Sequence, residues 1–284
     1  MSSSNGKLFI VATPFGNLDD LTDRARDVLS SVDFILAEDT RHSGKLLKYI
    51  GTSKPLIAYH DHNEREISTE ILQQVLSGKD CALISDAGTP LINDPGYQLV
   101  SAAHKAGITV VPIPGACAVI AALSVSGLPT ERFQFEGFIP AKRTERLARY
   151  QALSDKTHTL IFYEAPHRIL TALQDAIDCF GADRMACIVR EMTKIYEDVK
   201  RANLAELHSW LQCHSNKQKG EFVLLIQGAA AQKTSFEEAE AQRILYILKR
   251  EFSTKKASDL TAKITGMKKN YMYQLALKLD KTDE

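Results

Sequence analysis

At 284 residues, with 44% hydrophobic and 25% charged residues, the chain has the composition of a packed globular protein and room for two α/β domains of ordinary size. That composition excludes disorder throughout and a fibrous repeat. Thirty-five basic residues balance 35 acidic ones, so gross charge selects no partner, and no apolar run approaches the roughly 18 residues of a membrane span.

In chain order, five short apolar runs read as strands: 8–13, 34–39, 55–60, 81–88 and 108–114. Stretches with helical periodicity separate them; 21–31 and 66–77 place Leu, Ile and Val three or four apart. This alternation predicts a parallel-sheet α/β domain over 1–118. A small-residue apolar helix over 115–127 follows and ends at Gly127 before Pro129.

A second series, 133–139, 158–165, 185–192, 195–201 and 221–228, predicts another α/β domain over 119–230, with a helix over 166–180 opening at Pro166. Only Thr193 and Lys194 separate the strands 185–192 and 195–201, too few for a helical crossover. They must form a hairpin, so this sheet is mixed.

Three helices, 236–252, 255–264 and 268–279, form a small helical, helix-turn-helix-like domain over 236–284, with Gly266 at the turn. Residues 249–278 carry eight basic and two acidic groups. Lys268 and Lys269 would meet phosphates there, and Tyr271 and Tyr273 would stack on bases. Packing on the main body for stability is the alternative.

Chemistry concentrates at strand ends. The first loop, VATPFGNLDDLT (11–22), stands where a dinucleotide site wants GxGxxG, with Glu38 about 20 residues on. It has one glycine, Gly16, and Pro14 lacks an amide, so dinucleotide binding is disfavoured. SDAGTPLINDPG (85–96) holds Asp86, two glycines, two prolines and Asp94, a rigid turn open to a ligand. IPGACAV (113–119) is a third strand-to-helix turn, whose helix amino end suits a carboxylate. These loops line one edge of one sheet. They suit a nucleoside with a small zwitterionic tail rather than a triphosphate, which would need a Walker lysine.

EDTRHS (38–43) and HDHNE (60–64) add Glu38, Asp39, Arg41 and His60 to that rim. In the second domain FYEAPHR (162–168) and REMTK (190–194) set Glu164 beside Arg168, and Glu191 beside Arg190 and Lys194. Structural ion pairing is the alternative reading of both. PAKRTER (140–146) reads as a basic loop containing Lys142 and Arg143. HDHNE is a lone His cluster, so no metal is expected. Cys81, Cys117, Cys179, Cys187 and Cys213 form no CxxC pair, which reads as reduced thiols. The start, MSSSNGKLF, has no signal-peptide core, and a cytoplasmic protein is expected.

ATPFGNLDDLT, EDTRHSGKLL, SDAGTPLINDPG, IPGACA, FYEAPHR, REMTKIYED and KGEFVLLIQG, in this order and spacing, resemble the tetrapyrrole (corrin/porphyrin) methylase superfamily, the class III S-adenosylmethionine-dependent methyltransferases. Within it they are similar to the branch that methylates a cytidine ribose 2′-oxygen in the decoding region of small-subunit (16S) ribosomal RNA. The resemblance spans about 7–228, and the helical tail is similar to that branch's accessory domain.

It implies S-adenosyl-L-methionine between two α/β domains, a homodimer, and 16S rRNA within the small ribosomal subunit as substrate. It places cofactor contacts at Pro14, Asp86, Ala87, Gly88, Leu91, Ile92, Ala116, Cys117, Phe162, Tyr163 and near Glu221. Where corrin and porphyrin members carry a GGDP-type loop and a hydroxyl residue after the later Pro-Gly, this chain has DAGTP and PGAC. Transfer would require in-line alignment of oxygen, methyl and sulfur, aided by a base among Glu38, Asp39, His60, Glu164 and Lys194. Arg41, Lys142, Arg143, Arg168 and Arg190 would hold phosphates. Methylation of a tetrapyrrole or other small molecule by the same fold, or a regulatory nucleotide-binding module, are the alternatives.

Overall fold

Short apolar runs bounded by turns form the strands. The computed structural model describes residues 5–230 and 236–280. In it, β1 (Lys7–Val11), β2 (Phe34–Ala37), β3 (Leu56–Ala58), β4 (Cys81–Ile84) and β5 (Thr109–Ile113) form an all-parallel sheet in the order β3-β2-β4-β1-β5. β2 and β4 are buried along their whole length, as strands covered on both faces must be.

The covers are α1 (Asp23–Ser31) and α2 (Thr40–Tyr49) on one face, packing Ala25, Leu29, Leu46 and Leu47. On the other lie α3 (Glu64–Leu76) and α4 (Tyr97–Lys105), packing Ile71, Val75, Leu99 and Ala103. Asp39 caps α2 by accepting the backbone N–H groups of Arg41 and His42.

Helix α5 (Ala118–Val125) leads into the second sheet, in the order β6-β7-β10-β8-β9. Its strands are β6 (Phe133–Phe138), β7 (Thr159–Glu164), β8 (Met185–Arg190), β9 (Asp198–Asn203) and β10 (Phe222–Ile226), with α6 (Arg143–Leu153), α7 (Ile169–Phe180) and α8 (Leu204–Cys213) between them. β6 pairs with β7 in parallel; β10 runs antiparallel to β7 and β8, and β8 antiparallel to β9. The mixed sheet and its hairpin are therefore present. The connection is longer than the sequence suggests, however, because β9 starts at Asp198 and residues 191–197 form a loop.

Period-two alternation divides this sheet cleanly. Leu160, Phe162, Ile188, Leu224 and Ile226 face α6, α7 and α8; Ile161, Tyr163, Val189, Val223 and Leu225 face α5. Residues 140–146, expected as a loop, instead lead into α6, which starts at Arg143. The reason is tertiary. The buried Arg146 guanidinium binds both the Asp175 carboxylate at 2.7 Å and the carbonyls of Pro140 and Ala141, fixing the first turn against α7.

Both sheets belong to one compact unit, Met1–Ala229, and Ala230–Glu284 forms a second. In the second unit α9 (Phe236–Lys249), α10 (Thr254–Thr265) and α11 (Lys269–Asp280) close around Leu245, Ala257 and Ala276. Cys81 and Cys187 are buried, Cys213 is exposed, and none is bridged. No helix among the described residues is long and apolar enough to cross a membrane.

Candidate functional site

Because β4, β1 and β5 are neighbours, the loops at their carboxyl ends converge, as ligand loops do in open α/β sheets. Hydrogen bonds stitch them together. Thr13 and Gly88 exchange two backbone hydrogen bonds of 2.8 Å. The Thr13 hydroxyl donates to the Ser85 carbonyl at 3.1 Å, and the Thr89 hydroxyl donates to the Ala116 carbonyl at 2.9 Å. Gly88 sits at φ +83°, a conformation costly for any side chain, and a Cβ there would stand in the space between Ala116 and Phe15.

That space is a cavity of about 310 Å³. The first sheet's loops contribute Phe15, Ala87, Gly88, Ile92, Asp94 and Cys117; the second sheet closes it with Tyr163, Val189 and Val223, and with Glu164, Met192 and Glu221. Tyr163 is braced edge-on by Phe135 and Phe138, at ring distances of 4.9 and 5.4 Å. Its neighbour Phe162 points the other way, against Tyr150. At the amino end of α5 the N-cap residue Cys117, which lines the cavity with Ala118, makes no side-chain capping bond.

Backbone strain marks the same place. Among the described residues the four non-glycines at positive φ are Leu91, Asn93, Glu191 and Thr193, all in the two loops that border the cavity. Such conformations cost on the order of 1–3 kcal/mol each and persist only where neighbours impose them. Around Glu191 they do. Its carboxylate accepts from Lys194 Nζ at 3.0 Å and from the Glu221 N–H at 2.9 Å, while the buried Arg190 donates to the carbonyls of Lys219 and Tyr196.

Gly16 packs directly on this loop. A Cβ there would approach the Met192 carbonyl to 2.8 Å. Gly16→Val is therefore expected to displace residues 191–194 and to speed cleavage of that loop by an added protease; a cleavage rate equal to the parent's would show that the contact is slack.

The five candidate bases differ sharply in environment. Burial raises the Glu38 pKa, and the nearby negative charges of Asp94, Asp86 and Asp61 add to it. Burial also raises Glu164, whose Oε1 is held by Arg168 at 2.7 Å while Oε2, facing no partner, is buried at the cavity wall. Asp39 is exposed and held down to about 2 by hydrogen bonds from Arg41. Lys194 lies between Glu191 and Glu221; burial would lower its pKa, but the hydrogen bonds to those two carboxylates outweigh it and keep the amine charged. His60 lies two residues beyond the end of β3, two strands from β4, and its Nδ1 is buried without a partner.

Of the expected cofactor contacts, Ala87, Gly88, Ile92, Cys117, Tyr163 and Glu221 meet at the 310 Å³ cavity. Ala116 contributes its carbonyl to the loop seam. Leu91 packs into the core beneath α4, and Phe162 into the core beneath α7. Pro14 and Asp86 line a second cavity of about 220 Å³ on the α2 side. Sequence reasoning did not place Phe15, Val189, Met192 and Val223 at the site; the alternation that puts Tyr163 there also selects Val189 and Val223 on adjacent strands.

The basic residues divide as well. Arg41, Lys142 and Arg143 have 90, 73 and 65% exposed side chains. Arg168 is bound to Glu164, and Arg190 is buried on backbone carbonyls. Neither presents a free guanidinium fork to solvent. In the second unit Lys268 is exposed, and Lys269 pairs with Asp259 at 2.6 Å.

The stitched carboxyl edge of a parallel sheet and one face of a mixed sheet thus enclose a ligand-sized cavity. The chain belongs to the tetrapyrrole (corrin/porphyrin) methylase family, whose sequence model matches residues 7–208. A second model, described as the RsmI C-terminal HTH domain, matches residues 236–280.

Two curated relatives, both named ribosomal RNA small subunit methyltransferase I, cover nearly the whole chain. The protein from Pseudomonas aeruginosa is 52% identical over 96% of this chain and 98% of its own. That from Escherichia coli O157:H7 is 48% identical over 97 and 96%. A crystal structure of diphthine synthase shares the fold, with a TM-score of 0.60, 17% identity and coverage of 83% of this chain and 95% of its own.

Proposed function

We propose that this enzyme transfers a methyl group from S-adenosyl-L-methionine to the ribose 2′-oxygen of a cytidine in the decoding region of small-subunit (16S) ribosomal RNA, within the assembled subunit in the cytoplasm, as a homodimer. The rRNA substrate follows the names of the full-length relatives. One observation carries the cofactor assignment: the 310 Å³ cavity joins an apolar interior, a Gly88 cradle and a carboxylate, Asp94, without a cationic partner among its described contacts.

These residues fit a nucleoside with a cationic tail. Tyr163, Val189 and Val223 offer an apolar bed for a purine, Asp94 complements positive charge, and the uncapped amides of α5 suit a carboxylate. When bound, S-adenosyl-L-methionine supplies an electrophilic methyl on a sulfonium. The chain itself must exclude water, orient the sugar and take one proton from the hydroxyl.

Glu38 is the group best suited to take it. It stands among Asp86 and Asp94, and a carboxylate of raised pKa is a stronger base at neutral pH than Asp39, held near 2. Lys194, kept protonated by two carboxylates, serves instead to hold the 191–197 loop.

Incubation with methyl-tritiated cofactor is the direct test. Label is expected in small-subunit RNA and not in a porphyrinoid; label in the porphyrinoid alone would overturn the assignment. Arg41 and Lys142 are expected to act as phosphate contacts. Arg41→Ala and Lys142→Ala should each weaken RNA binding and reduce the slope of log K against log salt by about one. An unchanged slope would remove these residues from the RNA surface.

A further inference from the structure

The second cavity lies against the first, across one backbone seam. Thr13 and Pro14 face it while Phe15 faces the first cavity; Ser85 and Asp86 face it while Ala87, Gly88 and Thr89 face the first. The dividing line is the Thr13–Gly88 hydrogen-bonded pair. The two are also linked electrostatically. Glu38 feels the charges of both Asp94, on the first cavity, and Asp86, on the second.

Its lining is not that of a packing defect. Pro14, Leu18 and Leu46 supply apolar flanks. Ser43, one of the lining residues, is 2% exposed, and its buried hydroxyl has no hydrogen-bond partner. Buried polar groups are normally satisfied, so an orphaned hydroxyl in a cavity points to a ligand that completes it. Asp86 uses Oδ1 to accept the Asp39 N–H at 3.1 Å, and a carboxylate has acceptor capacity beyond that single bond. His42 and Lys45, exposed on α2, stand at the mouth beside Arg41.

Given the ribose methylation proposed above, we infer that this 220 Å³ cavity receives the base of the target nucleotide, turned out of its stack, and that Asp86 and Ser43 select a base carrying an exocyclic amine. Flat apolar flanks suit an aromatic ring, and enzymes that act on a single nucleotide commonly take its base into such a pocket. The amine of cytosine donates to a carboxylate. Uracil would set its O4 acceptor against that carboxylate, acceptor to acceptor. The Ser43 hydroxyl can donate to the ring nitrogen that cytosine leaves unprotonated. With the base so held, the sugar lies at the seam between the two cavities, close to Glu38, and the α2 cations face the flanking phosphates.

The test uses the full chain, methyl-tritiated cofactor and small subunits rebuilt on RNA with either cytidine or uridine at the modified position. Asp86→Asn keeps an oxygen for the Asp39 N–H but lowers the acceptor strength; Leu18→Trp fills the cavity from an exposed position. Both variants are expected to retain calorimetric affinity for S-adenosyl-L-methionine. Asp86→Asn should lower kcat/KM on cytidine about tenfold or more and narrow the cytidine-over-uridine ratio, and Leu18→Trp should raise KM for the particle. An active parent with an unchanged ratio in Asp86→Asn overturns the base pocket alone. Loss of cofactor affinity in Asp86→Asn also overturns it, by returning that residue to the cofactor. A parent inactive on every RNA overturns the ribose-methylation proposal and this inference together.

Discussion

Replacing Glu38 by Gln is expected to lower kcat by roughly 10²–10⁴-fold, the usual contribution of a positioned base, while affinity for S-adenosyl-L-methionine stays near the parent value. The rate should also report the group's titration. Burial and then the charges of Asp94 and Asp86 hold the Glu38 pKa above its ordinary value, so activity should fall as pH drops through that raised pKa. In Glu38→Gln this acid limb should disappear. Stability has the opposite sign. A carboxylate whose folded pKa lies above its unfolded one favours folding below that pKa and opposes it above. The Gln variant should therefore be at least as stable as the parent at pH 7, and lost activity cannot be ascribed to unfolding. A variant with full kcat and an unaltered pH profile would remove Glu38 from the chemistry and leave Glu164, with its unpartnered Oε2 at the cavity wall, as the next group to test.

The second large effect is structural. Asp175→Ala should destabilise the first unit by about 3–5 kcal/mol, the cost of leaving a buried ion without its partner. Asp175 and Arg146 have side chains 3 and 5% exposed, and Asp175 also accepts from Arg143 at 2.9 Å. Removing the carboxylate strands the Arg146 guanidinium between α6 and α7. Urea unfolding of the full chain, followed by tryptophan fluorescence at Trp210 on α8, would measure the loss; a shift under about 1 kcal/mol would mean that water reaches Arg146 and that the pair is not truly buried.

The same pair shows where sequence reading stops. Eight of the ten strands of the first unit lie within the apolar runs that mark them, β1 begins one residue earlier at Lys7, and β9 is shifted to Asp198; apolar, β-branched runs are a local signal. That the loops at 11–22, 85–96 and 113–119 line cavities was legible for a comparable reason: prolines and glycines at strand ends carry their own geometry. The fate of each charged side chain was not legible. Arg190 reads as a phosphate ligand beside Glu191, yet its partners are the carbonyls of Lys219 and Tyr196, set by the return of the chain before β10. Arg143 and Arg146 read as a basic loop because Asp175 lies far along the chain.

Adjacency in sequence also misled at Phe162 and Tyr163. Both belong to one motif, but a strand turns successive side chains to opposite faces, so only Tyr163 reaches the cavity. The second cavity had no local signal. It needs Ser43 from α2, Pro14 from the β1 loop and Asp86 from the β4 loop, residues that only the parallel order of the sheet brings together.

Everything functional rests on the cofactor lodging in the cavity bounded by Gly88, Tyr163 and Val223. Isothermal titration of S-adenosyl-L-methionine into the parent chain and into Gly88→Val, whose side chain would occupy the cradle, addresses that directly. One saturable site per chain in the parent, weakened about tenfold or more in Gly88→Val, is the expected result; each factor of ten corresponds to about 1.4 kcal/mol. Absence of binding to the parent, or equal affinity in both proteins, would contradict the account.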